Sequence, residues 1–146
     1  MADALPAAPA WFRAARAVVR RLPAGRFRAF ERLSRAGLRP FEDRLAAGLG
    51  GWRYACDLRN VIAREACLTG RSAPAETAAV LAALPRGGTF VDVGANWGYF
   101  TLVAAHAVGP QGRVLALEPD PRMAAELRGN VARNGIRHVT VLETAA

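Results

Sequence analysis

One short stretch of this sequence, FVDVGANWGYF at residues 90–100, combines residue types that can hold a small molecule. An acid, Asp92, is followed by Gly94 and then by Gly98. Glycine has no Cβ, so at both positions a ligand can approach the backbone and the chain can adopt turn angles that other residues resist. Apolar residues precede and follow the stretch. The pattern therefore predicts a tight turn from a strand into a helix, which is where open α/β sheets bind ligands.

Glu118 is the second acid of the pattern. It closes the next apolar strand, which places its carboxylate beside the glycine loop in a neighbouring strand. A carboxylate at this position can accept hydrogen bonds from both hydroxyls of a ribose. The helix that begins near Trp97 is expected to offer unpaired backbone N–H groups as well. A glycine loop with a strand-end acid is the general arrangement for nucleoside cofactors, so the ligands to compare are a dinucleotide and S-adenosylmethionine.

The spacing within the loop favours S-adenosylmethionine. A dinucleotide fingerprint, G-x-G-x-x-G or G-x-G-x-x-A, lets a pyrophosphate approach the backbone. Counted from Gly94, Asn96 and Tyr99 occupy its second and third small positions. Asp92 suits a ligand with a cationic amino-acid end, since its carboxylate can orient the loop amides or meet an ammonium group. Two alternatives stay open: a tight turn without a ligand, and another enzyme with a nucleoside cofactor.

The longer pattern FVDVGANWGYFTL, then GRVLALEPDP, then leucine and asparagine in the next helix, resembles the FkbM family of S-adenosylmethionine-dependent methyltransferases. That family carries a D-x-G-A-N-x-G loop and an E-P-[ND]-P motif after the second strand. The resemblance covers about residues 52–146. It implies S-adenosyl-L-methionine as cofactor and, as activity, O-methylation of a small molecule or sugar.

The resemblance also implies the residues of the cofactor site. Those expected to hold the methionine part are Asp92, Gly94, Ala95, Asn96 and Gly98. Those expected at the ribose and the adenine edge are Glu118, Pro119 and Asp120. Thr101 matches a small polar position on the loop helix, and Asn130 and Asn134 match asparagines with a structural role.

No catalytic residue is assigned from the sequence. In FkbM-type proteins the acid–base chemistry is expected after the fourth strand, and this sequence ends after the third, so activity of the chain alone is not implied. His106 lies in an apolar helix and His138 begins the third strand, so neither is a good general base. Cys56 and Cys67 lack metal-site spacing. We therefore expect no metal, and reduced thiols in a cytoplasmic protein.

The elements that position these residues alternate along the chain. Strands are predicted at TFVDVGA, RVLALEP and HVTVLETAA, and helices at GYFTLVAAHAV and after Asp120, with Pro121 at the first helical position. Nearly continuous apolar strands joined by helices predict an α/β fold, the Rossmann-like class I methyltransferase sandwich, with a parallel sheet covered on both faces. The sheet is expected to be incomplete, and the unpaired edge of its first strand is expected to favour self-association.

Upstream, we predict a basic helical extension over residues 1–48 and a methyltransferase domain over residues 49–146. Residues 1–10, rich in alanine and proline, are predicted to be disordered. A helix is predicted from Trp11 to Leu22, ended by Pro23. Its apolar face is expected to comprise Trp11, Ala14, Ala15, Val18, Val19 and Leu22. Further elements are predicted as a helix from Arg26 to Leu38 ended by Gly37 and Pro40, a strand that buries Tyr54 and Cys56, and a helix from Ala75 to Leu84.

The positive charge is concentrated in this extension. The 146-residue chain has a formal net charge of +8, and all 20 basic residues are arginine. Residues 1–59 hold 12 arginines against five acids, and the remainder holds 8 against seven. Because the part with the glycine loop is nearly neutral, nucleic acid is not expected as a partner. The basic helices are expected to pack on the domain, and contact with a partner or an anionic membrane surface, as a non-catalytic binding module, is the alternative.

Overall fold

The computed structural model describes residues 5–22, 26–34, 39–60 and 62–145. Its helices are α1 (Ala10–Arg20), α2 (Arg26–Ser34), α3 (Ala63–Thr69), α4 (Pro74–Ala83), α5 (Tyr99–Val108) and α6 (Pro121–Arg133). Its strands are β1 (Phe41–Arg44), β2 (Arg53–Cys56), β3 (Thr89–Val93), β4 (Arg113–Leu117) and β5 (Val139–Leu142). A short 3-10 helix, Ala47–Leu49, lies between β1 and β2.

The second half of the chain has the predicted alternation of strands and helices. The parallel sheet has the order β3-β4-β5, with Val91 opposite Leu115 in the first pair of strands. α5 connects β3 to β4, and α6 connects β4 to β5. α6 begins as predicted, since the Asp120 side chain caps it and Pro121 is at its first position. The fold is an α/β arrangement of the Rossmann-like type, and it brings the carboxyl ends of β3 and β4 side by side.

The prediction that both faces of this sheet are covered is wrong for the described residues. α5 and α6 pack on one face, where Val114 and Ala116 are buried. The other face leaves Val91, Val93 and Leu142 exposed by 51%, 62% and 43%. Successive right-handed crossovers that advance in one direction place both helices on the same side, which explains the asymmetry. Of the described strands, only β4 pairs with β3, so one edge of β3 is unpaired, as expected.

Upstream of the sheet, β1 and β2 form an antiparallel hairpin. Only β2 was predicted, and its Tyr54 and Cys56 are fully buried, as expected. Two asparagines, one within α6 and one at its C-cap, attach the hairpin to the rest of the fold. Asn130 Oδ1 accepts a hydrogen bond from the Ala55 amide and Asn134 Oδ1 one from the Arg53 amide, both at 2.8 Å. Both asparagines therefore have the structural role that was expected of them.

The predicted apolar face of α1 is wrong except at Val19, which packs against the core. Trp11 and Val18 are 48% and 62% exposed, whereas Phe12 is fully buried. The Phe12 ring packs against two other aromatic rings, with centroids 5.0 and 5.9 Å away. Arg16, which is not part of the predicted apolar face, lies near the buried face and forms an ion pair with Asp43. α1 is rotated about its axis relative to the prediction. Burial of the Phe12 ring and the ion pair between Arg16 and Asp43 stabilise this orientation more than burial of the alanines and valines would.

Arginines of α1 are used inside the fold. Arg16 donates to the Cys67 carbonyl at 2.8 Å, and Arg20 donates to the Leu68 carbonyl. Both carbonyls lie in the last turn of α3, where cationic side chains are favoured by the unpaired carbonyls of the helix end. These contacts agree with the expectation that the basic helices pack on the domain.

The expectation of disorder at the N-terminus is wrong for residues 5–9. The Pro6 carbonyl accepts a hydrogen bond from the Glu42 amide at 2.8 Å, and Ala7 forms a β-bridge with Glu42. This segment therefore lies along β1, a strand that the sequence did not reveal. The predicted positions outside the described residues are 1–4, Pro23, 35–38 at the end of the second predicted helix, with Gly37 among them, and Ala146.

Cys56 and Cys67 form a disulfide between β2 and α3, so the expectation of reduced thiols is wrong. The hairpin brings β2 against α3 with the two Cα atoms 6.0 Å apart, which lies within the usual span of a disulfide. Both cysteines are fully buried.

Within the described ranges, no helix has the length and apolarity that a membrane crossing requires. The same ranges contain no group of three or more His, Cys, Asp or Glu residues arranged to hold a metal ion.

Glu126, on α6, supports a prediction about stability. Burial, and then the charge of Asp57, raise the pKa of its carboxyl to about 7, and its Oε1 atom has no hydrogen-bond partner. The folded protein therefore binds a proton here that the unfolded chain releases near pH 4.5, so the free energy of unfolding falls as the pH rises from about 4.5 to about 7. We expect Glu126→Gln to stabilise the protein at pH 8 by about 1–2 kcal/mol, after allowance for solvent screening, and to have little effect at pH 4.5.

Urea unfolding at the two pH values measures this difference. Glu143→Gln, at an exposed residue paired with Arg128, is the matched control. Equal stabilisation by Glu126→Gln at both pH values would contradict the assignment.

Candidate functional site

The predicted turn follows β3 directly and leads into α5. Three of its residues have positive φ: Gly94 at 75°, Asn96 at 51° and Gly98 at 97°. Asparagine is one of the few residues with a side chain that adopts such a conformation readily. The turn lies beside the end of β4, so the glycine loop and Glu118 are brought together as predicted.

The backbone amides of the loop, from Gly94 to Gly98, all have acceptors within the protein. The first two donate to the Leu117 carbonyl at 2.9 and 3.0 Å. The Asn96 amide donates to Glu118 Oε2 at 2.7 Å. The last two bond to acceptors within the loop itself, at 2.9 Å each. The Trp97 amide is therefore not one of the unpaired N–H groups that were expected near it, and α5 itself begins at Tyr99.

Glu118 joins the two strand ends. One carboxylate oxygen accepts the Asn96 amide, and the other accepts the Asp120 amide at 2.9 Å. Only 6% of the residue is exposed. The role that was considered for Asp92, orienting a loop amide, therefore falls to Glu118. Each carboxylate oxygen can accept more than one hydrogen bond, so Glu118 retains capacity for ribose hydroxyls.

Asp92 is directed toward the first turn of α5. Its Oδ2 atom accepts a hydrogen bond from the Thr101 hydroxyl at 2.5 Å, and the residue is 8% exposed. Burial raises the pKa of this carboxyl, and the Glu118 carboxylate raises it further, while the bonds from Thr101 oppose the shift. A cation bound nearby would relieve the repulsion between the two carboxylates, which suits the ammonium and sulfonium groups of S-adenosylmethionine.

The two loop glycines differ in what surrounds them. A Cβ added to Gly98 would lie 2.2 Å from Leu127 Cδ1, so Gly98 is required by the packing of α6. A Cβ added to Gly94 would meet no atom within 4 Å. The open space at Gly94, with Glu118 close to the same loop, forms a cradle that fits the cofactor.

The remaining predicted residues lie around this cradle. Ala95 is buried and packs with Ala116 and Leu127. Pro119 is exposed, and Asp120 caps α6 while forming an exposed ion pair with Arg122. These contacts are sufficient to explain Asp120 as a helix cap, so its predicted part in the adenine pocket stays a prediction.

Asn60 is part of this site, and the sequence did not reveal it. Its Nδ2 atom donates to Asn96 Oδ1 at 3.2 Å, across 36 positions of sequence, and lies 3.6 Å from the Met123 sulfur. The available signal was an asparagine just before a helix, a residue type that often caps helices. That signal indicates a cap for α3 and gives no indication of the loop.

Both histidines lie at the other end of the sheet. They border a cavity of about 540 Å³ that Trp52, Arg86 and Ile136 also line. His138 Nε2 contacts the Ala105 carbonyl at 3.1 Å, and Arg86 donates to the His106 carbonyl at 2.9 Å. His138 and Arg86 therefore contact carbonyl groups at the C-terminal end of α5, whereas the glycine loop lies at its N-terminal end.

Asp92→Asn is expected to make the protein more stable and to weaken cofactor binding. The raised pKa means that the free energy of unfolding falls as the pH rises from the ordinary range of an aspartate through the folded value. Asparagine does not ionise, so this decrease in the free energy of unfolding does not occur, and its side-chain oxygen can still accept the hydrogen bond from Thr101. We expect a higher melting temperature than wild type at pH 7, no gain at pH 3, and roughly tenfold weaker binding of S-adenosylhomocysteine, the loss of one charged contact.

Thermal melts at the two pH values and isothermal titration at pH 7 measure these effects. A melting temperature at pH 7 below that of the wild type would show that the carboxylate is a net stabilising group.

Several known proteins are similar to this chain. An arsenite methyltransferase from Halobacterium salinarum is 38% identical over 58 residues, which is 40% of this chain and 15% of that protein. A protein-L-isoaspartate O-methyltransferase from Ignicoccus hospitalis is 39% identical over 61 residues, 42% of this chain and 29% of that protein. The chain thus spans less than a third of the length of these relatives. A solved structure of a transferase candidate from Pyrococcus horikoshii matches with a TM-score of 0.55 and 18% identity over 73% of this chain and 36% of that one, which supports the fold.

The family-level match is broader. The profile of the protein-L-isoaspartate(D-aspartate) O-methyltransferase family (PCMT) matches residues 60–145. This range contains the glycine loop, Glu118 and Asn60, and it covers more than half of the chain. The FkbM resemblance is supported at the broader level of S-adenosylmethionine-dependent methyltransferases. The chain belongs to the protein-L-isoaspartate(D-aspartate) O-methyltransferase family, and S-adenosylmethionine is the cofactor that its site accommodates.

Proposed function

We propose that this chain provides the S-adenosylmethionine site of an O-methyltransferase. The observation that carries the proposal is the bridge made by Glu118, whose two carboxylate oxygens bind the Asn96 and Asp120 amides. This bridge fixes the loop after β3 and the turn after β4 around one cradle, at the edge of the sheet where α/β folds bind ligands.

The residues of the cradle match the parts of the cofactor. When bound, S-adenosylmethionine supplies a methyl group on a positively charged sulfur. Glu118 would accept hydrogen bonds from the ribose hydroxyls. Asp92 and Asn96 would face the amino-acid end, and the open space at Gly94 would let the cofactor approach the backbone.

Two classes of oxygen acceptor follow from the two resemblances. The matched family points to the carboxylate of an isoaspartyl residue, and the FkbM resemblance implies a hydroxyl of a small molecule or sugar. A carboxylate is ionised at neutral pH, whereas a hydroxyl needs a base to remove its proton. We propose the isoaspartyl carboxylate, because methyl transfer to it requires no proton transfer by the protein.

Isothermal titration with S-adenosylhomocysteine tests the cofactor, with NAD⁺ as the comparison ligand. We expect binding of the first and not of the second. Transfer of labelled methyl from S-adenosylmethionine to an isoaspartyl peptide then tests the acceptor. The matched control is the aspartyl peptide of the same sequence, and a panel of sugars tests the other acceptor class. Binding of NAD⁺ alone would identify another nucleoside-cofactor enzyme and would contradict the proposal.

A second role, contact with a partner or an anionic surface, is favoured by α1. Its exposed face carries Trp11 and Val18, which are 48% and 62% exposed, and Leu22, two residues after the helix, is 37% exposed. Arg13 on the helix and Arg21 at its C-cap are also exposed. We expect the chain to sediment with phosphatidylglycerol vesicles, and Trp11→Ala to reduce that fraction. Equal sedimentation of both proteins would contradict this role.

A further inference from the structure

The side-chain amide of Asn96 is held in one orientation by its neighbours. Its Oδ1 atom accepts two hydrogen bonds, one from the Trp97 amide at 2.9 Å and one from Asn60 Nδ2 at 3.2 Å. A side-chain amide has its acceptor on one side and its two donors on the other. With the oxygen held by two donors, the NH₂ group of Asn96 must face away from both. Among the described residues it has no hydrogen-bond partner.

Asn60 is itself held in a defined orientation. Its Oδ1 atom accepts hydrogen bonds from the Ile62 and Ala63 amides at 3.0 and 3.3 Å, which caps the start of α3. Its Nδ2 atom must then point the other way, toward Asn96 and the Met123 sulfur. The residue therefore connects α3, the loop and α6 through a single amide.

A reversed Asn96 amide would be unfavourable in this setting. Its NH₂ group would face the Trp97 N–H and the Asn60 NH₂, so three donors would meet without an acceptor. Leaving a buried donor unsatisfied costs about 1–3 kcal/mol, so the observed orientation is strongly preferred while Asn60 is present. Without Asn60, only the Trp97 amide would favour it.

We propose that Asn60 is a positioning residue that holds the Asn96 amide with its NH₂ group toward the cofactor, where it donates to the carboxylate of the methionine part. The proposal rests on the proposed function, since it concerns the same cofactor site. It assigns to Asn60 a role in affinity for the amino-acid end of the cofactor, separate from its role as a helix cap.

Two variants separate these roles. Asn60→Asp keeps both acceptor positions for the α3 amides and loses the donor to Asn96. Asn60→Ser keeps a good capping residue, cannot reach Asn96, and adds no charge beside Glu118. An effect shared by both variants therefore follows from the lost donor.

The test compares two ligands, S-adenosylhomocysteine and 5′-methylthioadenosine, by isothermal titration. The second lacks the amino-acid end. In both variants we expect the Kd for S-adenosylhomocysteine to rise about three- to tenfold, the loss of one hydrogen bond, and the Kd for 5′-methylthioadenosine to stay unchanged. An equal rise for both ligands would show a merely structural role and overturn the inference, and so would no change for either.

Amide hydrogen exchange of the ligand-free protein provides a readout that does not depend on binding. We expect faster exchange at the Trp97 amide in both variants, because its acceptor is no longer fixed. If the wild-type protein binds neither ligand, the proposed function fails, and the exchange rate at Trp97 still decides whether Asn60 holds Asn96. Unchanged exchange in both variants would overturn that part of the inference.

Discussion

Glu118→Gln is expected to weaken binding of S-adenosylhomocysteine by roughly 100-fold, because hydrogen bonds to a charged group contribute about 1.5–3 kcal/mol each. Glutamine has one oxygen and one NH₂ group where the carboxylate has two oxygens. The NH₂ group must then face either the Asn96 amide or the Asp120 amide, both of which now donate to Glu118. One of the two attachments of the cradle is lost, together with an acceptor for the ribose.

Isothermal titration measures this effect, and far-UV circular dichroism establishes that the variant is folded. Glu143→Gln is the matched control, since Glu143 makes an exposed ion pair with Arg128 and takes no part in the site. If the folded variant bound with the affinity of the wild-type protein, Glu118 could be neither the ribose acceptor nor the essential link between the two loops.

Gly98→Ala is expected to destabilise the protein by about 3 kcal/mol, from overpacking together with an unfavourable backbone conformation. The added methyl group would lie 2.2 Å from Leu127 Cδ1, and Leu127 is fully buried. The residue also has φ at 97°, a value that side chains rarely tolerate. Urea unfolding measures the loss. The same substitution made together with Leu127→Ala should cost less than it does alone, since the methyl group then has room.

Gly94→Ala is the matched comparison. It has φ at 75°, but the added methyl group meets no atom within 4 Å. We expect a loss of only about 1 kcal/mol in stability from the backbone conformation, with a marked loss of cofactor affinity, because the methyl group would occupy the cradle. If Gly94→Ala left the affinity unchanged, the open space at this glycine would not belong to the cofactor.

The second half of the fold was predictable because its signals are local. Continuous apolar strands, a proline and an aspartate at the start of α6, and glycines at the turns each depend on a few neighbouring residues. The same local signals placed Glu118 beside the loop, since the carboxyl ends of neighbouring parallel strands share one edge of the sheet.

The first half was harder to predict because distant contacts decide it. The face that α1 buries depends on Phe12 and on the ion pair of Arg16 with Asp43. The disulfide depends on the packing of β2 against α3. Neither the buried face of α1 nor the disulfide can be identified from residue spacing. The amphipathic pattern of α1 allows more than one buried face, and the two cysteines fit no known motif.

Within the site, residue types were predicted better than their roles. Of the two roles considered for Asp92, orienting the loop amides falls to Glu118, while Asp92 binds Thr101; contact with an ammonium group stays a prediction. Asn60 was missed entirely because its partner lies 36 positions away. Contacts of this kind depend on how α3 approaches the loop, which only the folded chain defines.

The hydrogen bonds within the glycine loop have a consequence for the entropy of binding. Because the amides from Gly94 to Gly98 are all bonded in the free protein, the backbone of the loop is already ordered before a ligand arrives. Because the loop is already ordered, binding does not include the loss of its conformational entropy, which is about 1–2 kcal/mol for each residue that is fixed. The cradle can therefore hold a small cofactor with few direct contacts, since little of the free energy of those contacts is needed to order the loop.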